Sequence, residues 1–241
     1  MGATKMRHLS LAAAVLGLSL AASPAMAMFG DPFTPGSSTP STGYAFPVGE
    51  SFVASQTVQL NQPGNPNVTA QVIVDVYKET SGTLDFFYQV TNTGNTTLAT
   101  SAFGNFGFPP AFNTAGGYIN SKVPPPADMT QGTFAPVAAS DPAGGGAITF
   151  SFDSSASSVG LGIGQTSNVM FVSTNATSYD TLGTATVNGD VTSTGANTGG
   201  NSYTGIYEPT TFSSVPEPSS LVLCGLAGLI GLGARRFRRA R

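Results

Sequence analysis

The sequence predicts an all-β fold, an antiparallel β-sandwich with one apolar helix at each end of the chain. Short runs of alternating apolar and polar residues are separated by Gly, Pro, Asn and Ser, and no helical period lasts three turns between residues 30 and 214. Only 9% of the 241 residues are charged, which is common among secreted β-rich proteins. This length suits one domain with a sizeable core.

The first helix belongs to a segment with the layout of a secretory signal peptide, residues 1–27. A basic start precedes the apolar stretch 9–22, and the small residues Ala25 and Ala27 fit the pocket of signal peptidase. We therefore expect cleavage before Met28. An uncleaved anchor is the alternative, although fourteen apolar residues are short for one.

Residues 28–47 contain Pro, Gly, Ser or Thr at nearly every step. Such a composition predicts a flexible leader with little structure. The folded domain is then expected to span residues 48–214.

Within this domain, alternation with period two predicts a series of short strands. A loop at 78–82 joins the first two strands as a hairpin. Residues 89–97 resemble the strand and turn of bacterial surface Ig-like repeats. Strands separated by turns in this way indicate an Ig-like or jelly-roll-like sandwich. The predicted strands cover residues 69–77, 84–91, 147–152, 168–173 and 183–187.

The residue types of the body exclude most enzyme mechanisms. After signal removal it contains no His, Cys or Arg, so a Ser-His-Asp triad, a Cys-His pair and a His-based metal site lack their parts. Residues 28–214 hold eleven carboxylates and two lysines, a net charge of −9, which repels nucleic acid. We expect a non-enzyme with no catalytic residue, no cofactor, no metal and no nucleic-acid partner.

One alternative is a secreted hydrolase that uses a pair of carboxylates. The candidates are Asp75, Glu79, Asp85 and Asp153, in or beside strands. We interpret all four as solvated strand and turn positions. The hydrolase hypothesis fails if they all face solvent more than about 10 Å apart, beyond the separation that glycosidase pairs use.

Another alternative is a calcium-dependent adhesive module, because oxygen ligands alone can hold Ca²⁺. The sequence has no Asp-x-Asp-x-Asp-Gly loop and no nonapeptide repeat. The remaining candidate ligands are Asp141, Asp153, Asp180 and Asp190.

The C-terminal 27 residues combine three features. Prolines in Val215-Pro216-Glu217-Pro218 hold the chain extended, which keeps it accessible to a processing enzyme. An uncharged run from Leu221 to Ala234 predicts a short transmembrane helix. The arginines that follow favour a cytoplasmic C-terminus and an external body. This cluster, residues 235–241, includes Arg235, Arg236, Arg238 and Arg239.

Motif, apolar helix and arginine cluster together resemble the PEP-CTERM sorting signal of exported bacterial proteins over residues 215–241. The resemblance implies that an exosortase recognises Pro216, Glu217 and Pro218 after transient insertion in the inner membrane. It also implies a non-catalytic protein of the cell surface or extracellular matrix, associated with exopolysaccharide. A plain C-terminal anchor is the alternative.

Overall fold

The structure is a computed structural model that describes residues 30–34, 37–40, 42–61, 67–103, 114–120, 126, 128–141, 146–152, 160–189 and 200–210. All regular elements within these residues are strands, and no helix occurs among them. The all-β class is confirmed. The strands are β1 (Asp31–Pro32), β2 (Ser37–Pro40), β3 (Gly43–Tyr44), β4 (Ser51–Leu60), β5 (Ala70–Lys78), β6 (Leu84–Asn92), β7 (Leu98–Phe103), β8 (Thr114–Ile119), β9 (Ala138–Asp141), β10 (Ile148–Ser151), β11 (Met170–Thr174), β12 (Tyr179–Gly189) and β13 (Gly200–Pro209).

The strands form two sheets with antiparallel pairing almost throughout. The first sheet has the order β1-β8-β11-β6-β5-β4, and the two-residue strand β3 pairs with β8 in parallel. The second sheet has the order β13-β12-β7-β10-β9-β2. Neighbours such as β11 and β8 are distant in sequence, so most of the pairing is set by tertiary contacts.

The main core collects side chains from both sheets. Val74 and Tyr88 of the first sheet belong to the same buried cluster as Phe150 and Val187 of the second. All four are fully buried. The alternation seen in the sequence thus selects the residues that bury apolar area against the opposite sheet.

A second apolar cluster covers the other face of the first sheet. Tyr77, Phe87 and Phe171 lie on that face and pack with Met129 from a connecting segment. The rings of Tyr77 and Phe87 have centroids 5.3 Å apart and meet edge to face. Strands β5, β6 and β11 are therefore buried on both faces, and the first sheet has no open side at these strands.

The segment expected to be a flexible leader contributes to both sheets. It holds β1, β2 and β3, and its aromatic residues cover the outer face of the first sheet. Phe46 packs against Tyr77 and Phe87, with both centroid distances 5.3 Å, and Tyr44 meets Phe171 at 5.7 Å. Burial of these rings offsets the entropy of ordering a segment rich in Gly, Ser and Thr.

The strands expected from alternation are present as β5, β6, β10, β11 and β12. The loop at 79–83 joins β5 to β6 as a hairpin in which Lys78 pairs with Leu84. Both apolar helices expected at the chain ends lie outside the described residues. The part of the chain that the structure describes holds no helix of the length and apolarity needed to cross a bilayer.

Candidate functional site

Three carboxylates from separate segments meet at one end of the first sheet. Glu50 precedes β4, Glu79 begins the β5–β6 hairpin loop, and Asp85 lies near the start of β6. One oxygen atom from each side chain lies within 4.8 Å of the other two. We call Glu50, Glu79 and Asp85 the acidic cluster.

Strand pairing explains why these residues converge. Ser51 pairs with Lys78 across β4 and β5, so the residues just beyond that pair, Glu50 and Glu79, face each other. A turn at Val48 and Gly49 delivers Glu50 to this position, and Gly49 has φ 95°, a conformation that glycine adopts at little cost.

Glu79 is positioned by the hairpin loop that follows it. Its Oε2 accepts hydrogen bonds from Ser81 Oγ at 2.9 Å and from Thr83 Oγ1 at 3.0 Å. Its backbone N–H donates to the Thr83 carbonyl at 2.9 Å. The carboxylate is thereby held on the side of the loop that faces Asp85.

Asp85 is the buried member of the cluster, with 0% of its surface exposed. Its backbone pairs with Tyr77 on one side and with Ser173 on the other, which puts all three side chains on the outer face of the first sheet. Neither carboxylate oxygen accepts a well-formed hydrogen bond. Ser173 is fully buried too, and its Oγ likewise has no well-formed hydrogen bond.

Burial and like charge both act on these groups. Burial raises the pKa of Asp85 well above its usual range, the neighbouring Glu50 and Glu79 raise it further, and the Ser173 hydroxyl lowers it. Burial also raises the pKa of Glu50, and the charge of Glu79 adds to that rise. Three carboxylates at this spacing carry a strong mutual repulsion unless protons or a cation neutralise them.

The three members of the acidic cluster differ in their exposure. Glu50 and Glu79 are half-buried residues and Asp85 is fully buried, but both carboxylate oxygens of Glu50 are buried as well and have no well-formed hydrogen bond. Lys78 is the one basic residue within the described part of the chain, and its side chain is exposed. On β5 it follows Tyr77 and so points to the opposite face from Asp85.

The structure changes the interpretation of the carboxylates considered for hydrolysis. Asp75 and Asp85 are fully buried, so their interpretation as solvated strand positions is wrong. The reason is the second apolar cluster, which covers the face that a single-sided sheet would leave in water. Glu79 and Asp85 come together, Asp75 lies on β5 outside the acidic cluster, and Asp153 is outside the described residues.

Sequence reasoning missed Glu50 because no local pattern marks it. Its partners are 29 and 35 positions away in the sequence, and only the β4–β5 register brings them together. Of the carboxylates considered for calcium, Asp141 lies on β9 and Asp180 on β12, both in the second sheet and outside the acidic cluster. Asp153 and Asp190 lie outside the described residues.

The residues assigned to processing also lie outside the described residues: Ala25, Ala27 and Met28 for signal cleavage, Val215 to Pro218 for sorting, and Leu221 to Arg239 for the membrane helix and its arginines. Comparison with known proteins gives a match that covers the C-terminal group of these positions. Residues 214–239 match the family described as the PEP-CTERM protein-sorting motif.

No curated protein and no solved structure matches the chain. The motif implies export, sorting to the cell surface and processing by an exosortase. It covers the tail alone and assigns no activity to the two sheets. The match over residues 214–239 therefore identifies the chain as a protein that carries the PEP-CTERM protein-sorting motif.

Proposed function

We propose that the protein is a non-catalytic component of the cell surface or extracellular matrix, processed by an exosortase and associated with exopolysaccharide. In this proposal the body is an Ig-like or jelly-roll-like β-sandwich that is exported through its signal peptide. The tail passes through the inner membrane before it is cleaved. The match of residues 214–239 to the sorting motif is the observation that carries the proposal.

A non-catalytic body is supported by its residue types and by the burial of its carboxylates. Residues 28–214 lack His, Cys and Arg. Glu79 and Asp85 approach each other, but Asp85 is fully buried beneath Glu50 and Glu79. A glycosidase pair needs two carboxyl groups on either side of a sugar, about 5 Å or more apart and open to it.

Association with polysaccharide is supported by a row of hydroxyl groups on the second sheet. Thr184, Thr186, Ser202 and Thr204 lie on β12 and β13 and are exposed or half-buried. Thr184 pairs with Thr204 and Thr186 with Ser202, and the Oγ1 atoms of the first pair are 3.4 Å apart. Neutral hydroxyls on a regular strand spacing suit hydrogen bonding to sugar hydroxyls.

The sorting part is tested by the termini of the mature protein in its native host. We expect intact mass measurements to find a chain that starts at Met28, ends near Pro216 to Pro218 and lies outside the inner membrane. Pro216→Ala combined with Pro218→Ala should leave the full chain in the inner membrane. Ser213→Ala, just before the motif, should be processed normally. A wild-type chain that still ends at Arg241 in the inner membrane would refute sorting.

The polysaccharide part is tested separately by co-sedimentation of the secreted protein with the exopolysaccharide of its host. Thr184→Val combined with Thr204→Val removes two hydroxyls and keeps the β-branched shape. We expect the wild type to sediment and this variant to stay largely in solution. Absence of the wild type from the pellet would rule out the association and leave a structural role.

A further inference from the structure

We propose that Glu50, Glu79 and Asp85 form a binding site for one calcium ion. From the sequence we expect no metal, and the carboxylates considered there for calcium are Asp141, Asp153, Asp180 and Asp190. The inference concerns the body alone and does not depend on how the tail is processed.

The spacing of the carboxylate oxygen atoms suits one calcium ion. Ca²⁺ binds oxygen ligands at about 2.3–2.6 Å, so two ligands on opposite sides of the ion are at most about 5 Å apart. The three carboxylates each offer an oxygen within 4.8 Å of the other two. Oxygens at the limit of this spacing lie about 2.8 Å from a common centre, so a side-chain shift of a few tenths of an ångström brings all three into contact with one ion.

A buried hydroxyl group on a neighbouring strand also lies beside the acidic cluster. Ser173 on β11 pairs with Asp85, so its hydroxyl lies on the same face and beside the cluster. The hydroxyl is fully buried, and its Oγ has no well-formed hydrogen bond. A buried hydroxyl without such a bond is uncommon, since burial of a polar atom has a cost that a partner must offset. An ion bound to Asp85 supplies that partner.

The negative charge of the three carboxylates favours a cation as the ligand. Within the described part of the chain, Lys78 is the only basic residue, and its side chain points away from the cluster. Hard oxygen ligands favour Ca²⁺ or Mg²⁺ over transition metals. Calcium fits better, because it tolerates irregular ligand arrangements, whereas Mg²⁺ demands near-octahedral geometry at about 2.0–2.1 Å.

The half-buried Glu79 gives the ion its entry from solvent, since the carboxylate oxygens of Glu50 and Asp85 are buried. Binding joins the start of β4, the hairpin loop and β6, so the ion links three segments of the first sheet. Extracellular calcium modules typically have dissociation constants of ~10⁻⁴–10⁻³ M, and we expect a value in this range.

The test compares the full chain in EDTA, in ~10 mM CaCl₂ and in ~10 mM MgCl₂, concentrations above the expected dissociation constant. We expect calcium to raise the Tm of the wild type by several degrees and magnesium to raise it much less. Isothermal titration with CaCl₂ should give one site per chain. A wild type with the same Tm in calcium and in EDTA, and no heat of binding, would overturn the proposal.

Two variants locate the site. Asp85→Asn and Glu79→Gln keep the side-chain shapes but remove charge, and each should weaken calcium binding at least tenfold. Their Tm in EDTA should equal or exceed that of the wild type, because like-charge repulsion falls. Asp180→Asn on β12 is the matched control and should keep the full calcium response. An undiminished response in both cluster variants would overturn the proposal.

Discussion

Asn92 holds the turn after β6 through three hydrogen bonds. Its Nδ2 donates to the carbonyls of Thr96 at 2.9 Å and Leu161 at 2.8 Å, and its Oδ1 accepts from the Gly94 N–H at 3.0 Å. The side chain is fully buried. An amide alone supplies two donors and an acceptor on one short side chain, so the residue type follows from the geometry.

The first prediction tests this role with Asn92→Asp. A carboxylate has no donors and would face two carbonyl oxygens in a buried site, so we expect the free energy of unfolding to fall by about 3 kcal/mol. Asn95→Asp is the control, because Asn95 lies in the same turn with its side chain exposed. Urea unfolding measures both, and equal losses in the two variants would contradict the assignment.

The buried environment of Asp75 changes its pKa and so leads to a second testable prediction. It is fully buried, and its carboxylate oxygens accept no well-formed hydrogen bond. Burial raises the pKa of Asp75 above its ordinary value of 3.8, the negative charge of Asp128 adds to the rise, and the Ser55 hydroxyl opposes it. The folded protein therefore binds this proton more tightly than the unfolded chain does.

The second prediction follows from the sign of that shift. The contribution of Asp75 to stability is fully present below its ordinary pKa and is lost as the pH rises through the raised value. Asp75→Asn removes the charge and should raise the Tm at pH 8 by a few degrees, since ~1 kcal/mol shifts the Tm of such a domain by about 2–4 °C. Thermal melts in EDTA should show the gain shrinking towards pH 4. A gain that is the same at both pH values would contradict the prediction.

At the scale of elements, alternation predicted β5 and β6 because their inward residues are large and β-branched or aromatic. Strand β8, with the sequence TAGGYI, carries no such pattern. A Cβ at Gly116 would lie 2.5 Å from the Phe171 carbonyl oxygen and 2.7 Å from the Phe33 ring. The close approach of these neighbours therefore requires glycine at position 116. The sequence around Gly116 contains no information about them, because they are distant along the chain.

The same reason explains the acidic cluster. Glu79 and Asp85 stand near each other in the sequence and were both candidates, but their burial depends on the segment that ends at Glu50. Periodicity shows which residues share a face of a strand. It does not show whether a second layer covers that face, and here Phe46 and Tyr44 supply that layer.

The third prediction tests whether the segment before β4 belongs to the fold. Phe46→Ala removes a ring that contacts both Tyr77 and Phe87, and we expect a loss of about 2–3 kcal/mol, below the usual range for a fully buried Phe. Val48→Ala should cost almost nothing, because Val48 is fully exposed. If chemical denaturation finds both variants as stable as the wild type, the segment is a loose leader after all.

At the scale of the whole body, the two sheets share one core and are also joined along an edge. Gln56 Nε2 on β4 donates to the Gly205 carbonyl on β13 at 2.9 Å, and the Asn201 side chain donates to the Val68 carbonyl. The main core has side chains from both sheets. Neither sheet can lose its partner without exposing its own inner face to water, so the two should unfold together.

The fourth prediction measures this coupling with Phe150→Ala in the second sheet. Phe150 is fully buried in the shared core, and its truncation should cost about 3–5 kcal/mol. Native-state hydrogen exchange should then show faster exchange by a similar factor at β5 of the first sheet and at β12 of the second, because the slowest amides exchange through global unfolding. Val137→Ala, at a partly exposed position, serves as the control. Faster exchange confined to the second sheet would mean that the sheets open independently, and the shared core would then not be the unit of stability.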